Sequence, residues 1–373
     1  MEDRWGVSAS CPPGADTGLP PGGAATGAGT LAGPLVVGVF DGHGGCRVSE
    51  HLAAQLPRAL CAAMQEAGSD VAAQNAALTA CFLDADAEIV AADLASTPVA
   101  RTARHPGPGA TAAVVALLPA SSSMDRKTHT LLLAVVGDAR AAVAGPDGAL
   151  LAVTCDQTPS VAEEAARVVA MGGTVTTAHI WGNKPRVAGV LAISRAFGNA
   201  GMKPYVTAEP VILRVAIPQG GCTCLLGSDG LFDVLPTEEA LATVCRPRER
   251  HPAGAVLQRA RHLPEALDNI TVLTLKMGPI PPPPGSQPAA AALEMFATPP
   301  TQPLGVATQE GGAGAAAAPP PGGMPLPPPM PEVSIASCSA CVGSAIGSKR
   351  KLDDLVGTAV ADPRVVCLVE PAG

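Results

Sequence analysis

The fold is decided at residues 35–45, LVVGVFDGHGG, where a β-branched apolar run stops at an acid, a histidine and three glycines. The run Leu35–Phe40 reads as a buried strand. A plain turn at its end needs one glycine, or an Asp-Gly pair. Gly42, Gly44 and Gly45 around Asp41 and His43 exceed that need. The surplus implies that something approaches the backbone closely there.

Moving outward, the same punctuation recurs. Asp138 follows LLLAVVG, Asp229 follows CTCLLGS, Asp268 immediately precedes NITVLTLK, and Glu2 and Asp3 open the chain. Acids at the ends of several strands can converge on one rim of a sheet, where they repel one another unless a cation neutralises them. All-oxygen ligands select hard ions, Mg²⁺ or Mn²⁺ in preference to Zn²⁺. Two such ions would polarise a bridging water and clamp an in-line displacement at phosphorus. Taken singly, each Asp-Gly is an ordinary turn and His43 an ordinary hydrogen-bonded loop residue. The residue types alone leave both readings open.

Around these acids the chain divides into three regimes. Residues 6–33 are rich in Gly, Pro and Ala and read as a flexible insertion. Residues 34–277 alternate strand-like runs (LVVGVF, GATAAVVALLP, HTLLLAVVGD, AAVAG, GVLAIS, CTCLLGSD, NITVLTLK) with helix-like ones. The helical runs begin at Arg47, Ala76, Ala162 and Thr237, and Ser160 stands where it could cap the third. Residues 278–373 form a Pro/Ala-rich tail, expected to be disordered because it cannot bury enough surface to fold alone. Strands come in clusters and do not alternate strictly with helices. That pattern predicts an α+β sandwich of sheets layered with helices, one domain over 1–277, in preference to a doubly wound parallel sheet.

Composition bounds the function. The chain has 373 residues, 47% of them hydrophobic but only 2% aromatic, so its core must be built from Ala, Val and Leu. A formal net charge of −8 argues against a general nucleic-acid binder. The start MEDRWGVS lacks the apolar segment of a secretory signal, and no apolar run is long enough to span a membrane. Eleven cysteines without framework spacing point to a reduced, intracellular setting, cytoplasmic and/or nuclear. In the tail, Cys338 and Cys341 make one C-x-x-C without a second pair, which does not make a zinc site. The proline clusters there could dock SH3- or WW-like partners, and GSKRKLDDL reads as a solvated charged patch in preference to a weak nuclear-targeting signal.

Taken in order, MED, VVGVFDGHGG, GATAAVVALL, AVVGDARAAV, RVVAMGGTV, RVAGVLAISRAFGNAGMKPYVTAEP, LLGSDGLFDVL and DNITVLTL resemble the type 2C metal-dependent serine/threonine protein phosphatases, the PPM family, over residues 1 to about 277. The resemblance implies a four-layer α-β-β-α sandwich, two antiparallel sheets flanked by helices, with two Mn²⁺ or Mg²⁺ ions at one end. Asp41 would bridge both ions. Glu2 and the Gly42 carbonyl would hold one, and Asp229 and Asp268 the other. Asp3 matches an acid close to the cluster, Asp138 with Asp229 would supply a weaker third position, and Asn269 would contact the cluster through a neighbour or water. His43 matches the general acid that protonates the leaving seryl or threonyl oxygen after attack by a metal-bridging hydroxide. The implied partners are phosphorylated proteins, met by a monomer with no nucleic acid and no membrane span.

Three departures accompany the resemblance. Family members carry a phosphate-gripping arginine a few residues before the Glu-Asp pair. Here the sequence begins at Met1 and Arg4 lies on the other side. This implies a chain that starts late relative to a longer protein or a weakened phosphate grip, a Glu2 near a frayed terminus, and lower catalytic efficiency than in a complete member. Gln157 replaces the usual histidine and Asn199 the usual aspartate, and with the flap at 173–203 they are expected to shift substrate preference. The rival function is a catalytically weak relative that binds phosphoproteins or partners. A serine hydrolase using Ser194 or Ser228 is unsupported, because LLGSDG is not a G-x-S-x-G elbow.

Overall fold

In the computed structural model the described residues are 2–9, 33–96, 101–119, 129–177, 184–246, 251–278 and 365–369. Strand β2 (Leu35–His43) shows how they assemble. Side chains alternate across a strand. Val37 and Val39 enter a core between two sheets, whereas Val36 and Phe40 enter a second core beneath helices. A strand covered on both faces is apolar at nearly every position. In β3 (Gly109–Leu118) all ten residues are buried.

The first sheet has the order β1 (Arg4–Ala9), β2, β3, β4 (Thr130–Val136), β10 (Val211–Ala216), with β9 (Phe197–Gly198) also paired to β3. The second runs β13 (Val365–Val369), β12 (Val272–Met277), β11 (Cys222–Gly227), β5 (Arg140–Ala144), β6 (Leu150–Val153). All pairings within these two sheets are antiparallel. Between them lie Val37, Val39, Val115, Leu133 and Val135 from the first sheet and Val143, Cys224, Leu226 and Leu273 from the second. Each such side chain contributes about 1.5–3 kcal/mol on burial.

Helices α1 (Arg47–Ala67) and α2 (Val71–Ser96) cover the outer face of the first sheet through Leu52, Leu56, Leu60, Leu78 and Phe82. Helices α4 (Asp229–Phe232), α5 (Thr237–Val244) and α6 (Pro252–Arg261) cover the second through Leu231, Leu241, Val256 and Leu257. The result is the α+β sandwich that the strand and helix pattern predicts, in the four-layer α-β-β-α form that the family resemblance implies. A smaller apolar cluster (Val168, Val187, Ile193, Met202, Val206) holds α3 (Ala162–Ala170), the hairpin β7 (Val175–Thr177) and β8 (Pro185–Val187), and the 3₁₀ turn Ala200–Met202.

Strand β1 docks at a defect in α1. Pro57 cannot donate a hydrogen bond to the Ala53 carbonyl four residues back. Gly6 of β1 lies against that carbonyl and against the Pro57 ring, so close that any side chain at residue 6 would clash with both. Pairing Arg4 with Phe40 and Ala9 with Leu35 then fixes where Glu2 and Asp3 emerge.

Several expectations need correction. Strand β1 removes residues 6–9 from the stretch read as flexible. Residues 10–32 lie outside the described residues, as do 279–364 and 370–373 of the tail, including Cys338, Cys341 and the KRK patch. Within the tail's span, β13 pairs with β12, a strand the sequence did not announce. GVLAIS at 189–194 is not a strand; only the isolated bridge of Val187 with Leu191 touches it. The residue preceding α3 is Val161 and no side chain caps it, so Ser160 is not an N-cap.

Candidate active site

Strand direction gathers the acids. In the first sheet the end of β2, the start of β1, the start of β3 and the end of β4 share one edge, as antiparallel pairing requires. In the second sheet the end of β11 and the starts of β5 and β12 share another. The turn 137–139 carries the chain directly from β4 to β5, so both edges lie at the same end of the sandwich. Asp41 and His43 finish β2, Asp138 sits in the β4–β5 turn, Asp229 opens α4 after β11, Asp268 precedes β12, and Asp3 adjoins β1.

The carboxylates feel one another strongly. Desolvation holds Asp41 well above the usual carboxylate pKa, and the charges of Asp229, Asp3 and Asp138 push it further. Asp229 is raised well above its usual range by desolvation and then by Asp138, with Asp268 and Asp3 adding to it. Asp41 and Asp229 share a hydrogen bond. Asp138 is pushed up to about 8 by burial and by the neighbouring Asp156. Asp3, raised by burial, is steadied by Ser228 and Thr271, whose hydroxyls both donate to its Oδ2 at 2.8 Å. Asp268 is exposed and accepts a hydrogen bond at Oδ1 from the Asn269 backbone (2.9 Å) and a longer one from its side chain (3.3 Å).

The glycines now have separate reasons. Gly44 and Gly45 have φ of +68° and +117°, which side chains of L-residues resist. A Cβ on Gly42 would sit 2.6 Å from the Glu2 carbonyl oxygen and 2.7 Å from Ser49 Oγ. The close approach is thus made by the chain's own residue 2. Ser49 donates to that same carbonyl, and Gly45 N–H donates to Glu2 Oε1 at 2.9 Å. Residue 2 is thereby held by three contacts at the start of α1. His43 is partly buried, with its pKa below the usual value through desolvation. Its bond to Asn199 (Nε2 to Oδ1, 2.8 Å) and the charge of Glu2 pull the other way.

The structure also brings in residues the motifs did not single out. Arg140 and Asp156, both buried, pair at 3.4 Å behind Asp138, with the Arg140 guanidinium 4.4 Å over the Phe232 ring. Lys184, at the edge of the β7–β8 hairpin, lies 3.5 Å from Asp233, and its charge partly relieves Asp138. Gln157, expected to bear on substrate preference, lies inside the fold. It is buried, accepts from Gly137 N–H at 2.7 Å and donates to the Val135 carbonyl at 3.1 Å, bracing the turn that carries Asp138. Asn199, within the segment 173–203, is fully buried against His43.

These acids interact pairwise. Among the described residues no three His, Cys, Asp or Glu side chains are already gathered as a ready-made cation site. The donor chemistry nonetheless fits hard divalent ions: the acids offer only oxygen, and the raised proton affinities of Asp41, Asp138 and Asp229 mark a place where positive charge is favoured.

Comparison with known proteins gives the same direction. A family model described as Protein phosphatase 2C matches residues 34–263. Probable protein phosphatase 2C 76 of Arabidopsis thaliana is 33% identical over 254 residues, covering 67% of this chain and 54% of that protein. Probable protein phosphatase 2C 59 of Oryza sativa subsp. japonica is 34% identical over 239 residues, covering 64% and 65%. The chain thus spans only about half to two thirds of these relatives. Among solved structures, a serine-threonine phosphatase 2C from Toxoplasma gondii superposes with a TM-score of 0.55 at 25% identity, over 74% of this chain and 90% of that one. A C. elegans sex-determining protein, at 24% identity and a TM-score of 0.52 over 65% of this chain and 56% of that one, shares the fold.

Proposed function

The chain belongs to the protein phosphatase 2C family, and on that premise we propose that it hydrolyses phosphoserine and phosphothreonine in proteins with divalent cations. The observation that carries this reading is the mutual electrostatic coupling of Asp41, Asp229, Asp138 and Asp3 at one end of the sandwich, two residues from His43. Buried carboxylates that raise one another's proton affinity cost stability unless something positive joins them. A fold that keeps several of them has another use for the space.

In this reading Asp41, Glu2 and the Gly42 carbonyl would hold one Mn²⁺ or Mg²⁺, Asp229 and Asp268 would hold a second, and Asp138 with Asp229 would supply a weaker third. When bound, such ions supply Lewis-acid activation of water and offset charge on the phosphoryl oxygens. The protein's own residues do the rest. Asp3, held by Ser228 and Thr271, ties the start of β1, next to Glu2, to the ends of β11 and β12 that carry Asp229 and Asp268. The Gly45–Glu2 bond orients the Glu2 carboxylate. His43 delivers a proton to the seryl or threonyl oxygen as it leaves. Asn269 steadies the Asp268 carboxylate.

Phosphorylated proteins are therefore the proposed partners, and a cell interior the proposed setting, the latter resting on eleven cysteines without disulfide spacing. Among the described residues no helix is long and apolar enough to cross a membrane. The test is phosphate release from a phosphothreonine peptide in H₂¹⁸O, with Mn²⁺ and with EDTA. The expected result is cation-dependent release with one ¹⁸O per phosphate and no trapped phosphoenzyme. A folded, cation-binding protein without turnover would replace this reading with a phosphoprotein-binding module.

A further inference from the structure

Strand pairing puts Gly109 between two others. It is opposite His43 of β2 on one side and opposite Gly198 of β9 on the other. Two strands flanking a residue with no side chain allow groups from either side to meet above it. His43 and Asn199, which follows Gly198, do so: His43 Nε2 lies 2.8 Å from Asn199 Oδ1. A Cβ on Gly109 would collide with that Asn199 oxygen and stand 2.5 Å from His43 Nε2.

The orientation of the amide is determined by its other end. Asn199 Nδ2 donates to the Gly107 carbonyl at 2.9 Å, and a carbonyl can only accept. Oδ1 therefore faces the imidazole and must also accept, which places a proton on His43 Nε2. The asparagine itself is tightly held. It is fully buried, its φ of +48° is in the left-handed region where Asn is among the few residues tolerated, and its N–H donates to the Pro108 carbonyl at 2.8 Å. The segment is braced on both sides of it by buried Asp86. One carboxylate oxygen accepts from Gly198 N–H at 2.7 Å, and the other meets Lys203 Nζ at 2.7 Å.

We propose that Asn199 is a positioning residue for His43, fixing the plane of the imidazole and keeping a proton on Nε2, so that Nδ1 is the ring nitrogen that exchanges a proton with the leaving oxygen. The inference rests on the proposed general-acid role of His43. In the step, the Nδ1–H bond breaks as the proton passes to the departing seryl or threonyl oxygen. The ring is left neutral, with Nε2–H still bonded to Asn199.

The test compares two substrates on the full chain with Mn²⁺. A phosphothreonine peptide leaves as an alkoxide and needs the acid; p-nitrophenyl phosphate leaves as a stabilised phenolate and does not. Asn199→Leu should lower kcat for the peptide by about 10- to 100-fold with KM within about twofold, the size of effect seen when a supporting hydrogen bond is lost. It should leave the aryl ester within about threefold, and Asn199→Asp, which keeps an acceptor, should restore the peptide rate. His43→Ala provides the benchmark. If it discriminates between the substrates and Asn199→Leu slows both equally, Asn199 is structural and the proposal is overturned alone. If His43→Ala also slows both equally, the general-acid reading falls and takes the proposal with it. Should Asn199→Leu fail to fold, ¹⁵N-histidine NMR of the unaltered chain, with His43 identified by its loss in His43→Ala, decides. An Nε2-protonated ring is expected, and an Nδ1-protonated neutral ring would overturn the proposal.

Discussion

Ser228 donates its hydroxyl to Asp3 Oδ2 at 2.8 Å, joining the beginning of β1 to the end of β11 in the opposite sheet. Thr271, at the start of β12, donates to the same oxygen. One buried carboxylate thus pins the two sheets together at the end where the other acids collect. Ser228→Ala removes one of the two donors from a buried acid, which should cost about 1–3 kcal/mol. Urea denaturation should show that loss, and Mn²⁺ titration should show weakened half-saturation in the same variant.

Gly42→Ala tests the close approach of residue 2. The new methyl would meet the Glu2 carbonyl and Ser49 Oγ, both well inside contact distance. Either β1 shifts or β2 bends, at about 1–3 kcal/mol for an overpacked site. Phosphatase activity should fall at least tenfold while circular dichroism stays native in shape, because the change falls at the strand ends that carry Glu2, Asp3 and Asp41.

Glu164 of α3 offers a pH test away from the acids. Burial opposes its ionisation, yet Arg195, Arg167 and Ser194 overcome that and hold its pKa at about 2, below the ordinary 4.5. Arg195 is 2.6 Å away and Arg167 2.8 Å. A lowered carboxyl stabilises the fold fully above about 4.5 and loses that contribution as pH falls towards 2. Glu164→Gln should therefore cost on the order of 3 kcal/mol at pH 7, with the gap to the parent chain closing on acidification below about 4.5. Thermal melts from pH 7 to 3 would record it.

The acids at the sandwich end have the opposite sign. Asp138, at about 8, binds a proton more tightly in the folded chain than unfolded, as do Asp41 and Asp229. Across pH 4 to 8 the folded chain holds more protons, so stability without cations should decline as pH rises through that window. A divalent cation reverses the penalty by taking the protons' place. The melting-temperature gain on adding Mg²⁺ should be small at pH 5 and should grow towards pH 8. A gain independent of pH would place the cation elsewhere.

Much of the sandwich was legible because burial on both faces keeps strands apolar at nearly every position. LVVGVF, GATAAVVALL and CTCLLG became β2, β3 and β11, and the run from Arg47 to Ala67 became α1. GVLAIS was misread for the same reason: it is apolar because it packs around Ile193 in the small cluster with Met202 and Val206, not because it pairs in a sheet. Strand β1 was hidden in glycine, yet Gly6 is there because Ala53 and Pro57 of α1 leave no room for a side chain. The acids announced themselves by ending strands. Their helpers did not, since Asp156, Gln157 and Asn199 act through buried contacts between segments far apart in the chain. Gln157 and Asn199 stand out in the sequence as departures from the family, but only the fold shows what they touch, Asn199 through the meeting of β2 and β9 across Gly109.

The most direct test of the whole account is dephosphorylation of a phosphothreonine peptide by the full chain as Mn²⁺ is titrated, beside Asp229→Ala. Turnover that rises with Mn²⁺, vanishes in EDTA and is lost by at least two to three orders of magnitude in Asp229→Ala is the predicted result. Turnover that survives EDTA, or an Asp229→Ala variant as active as its parent, would contradict it.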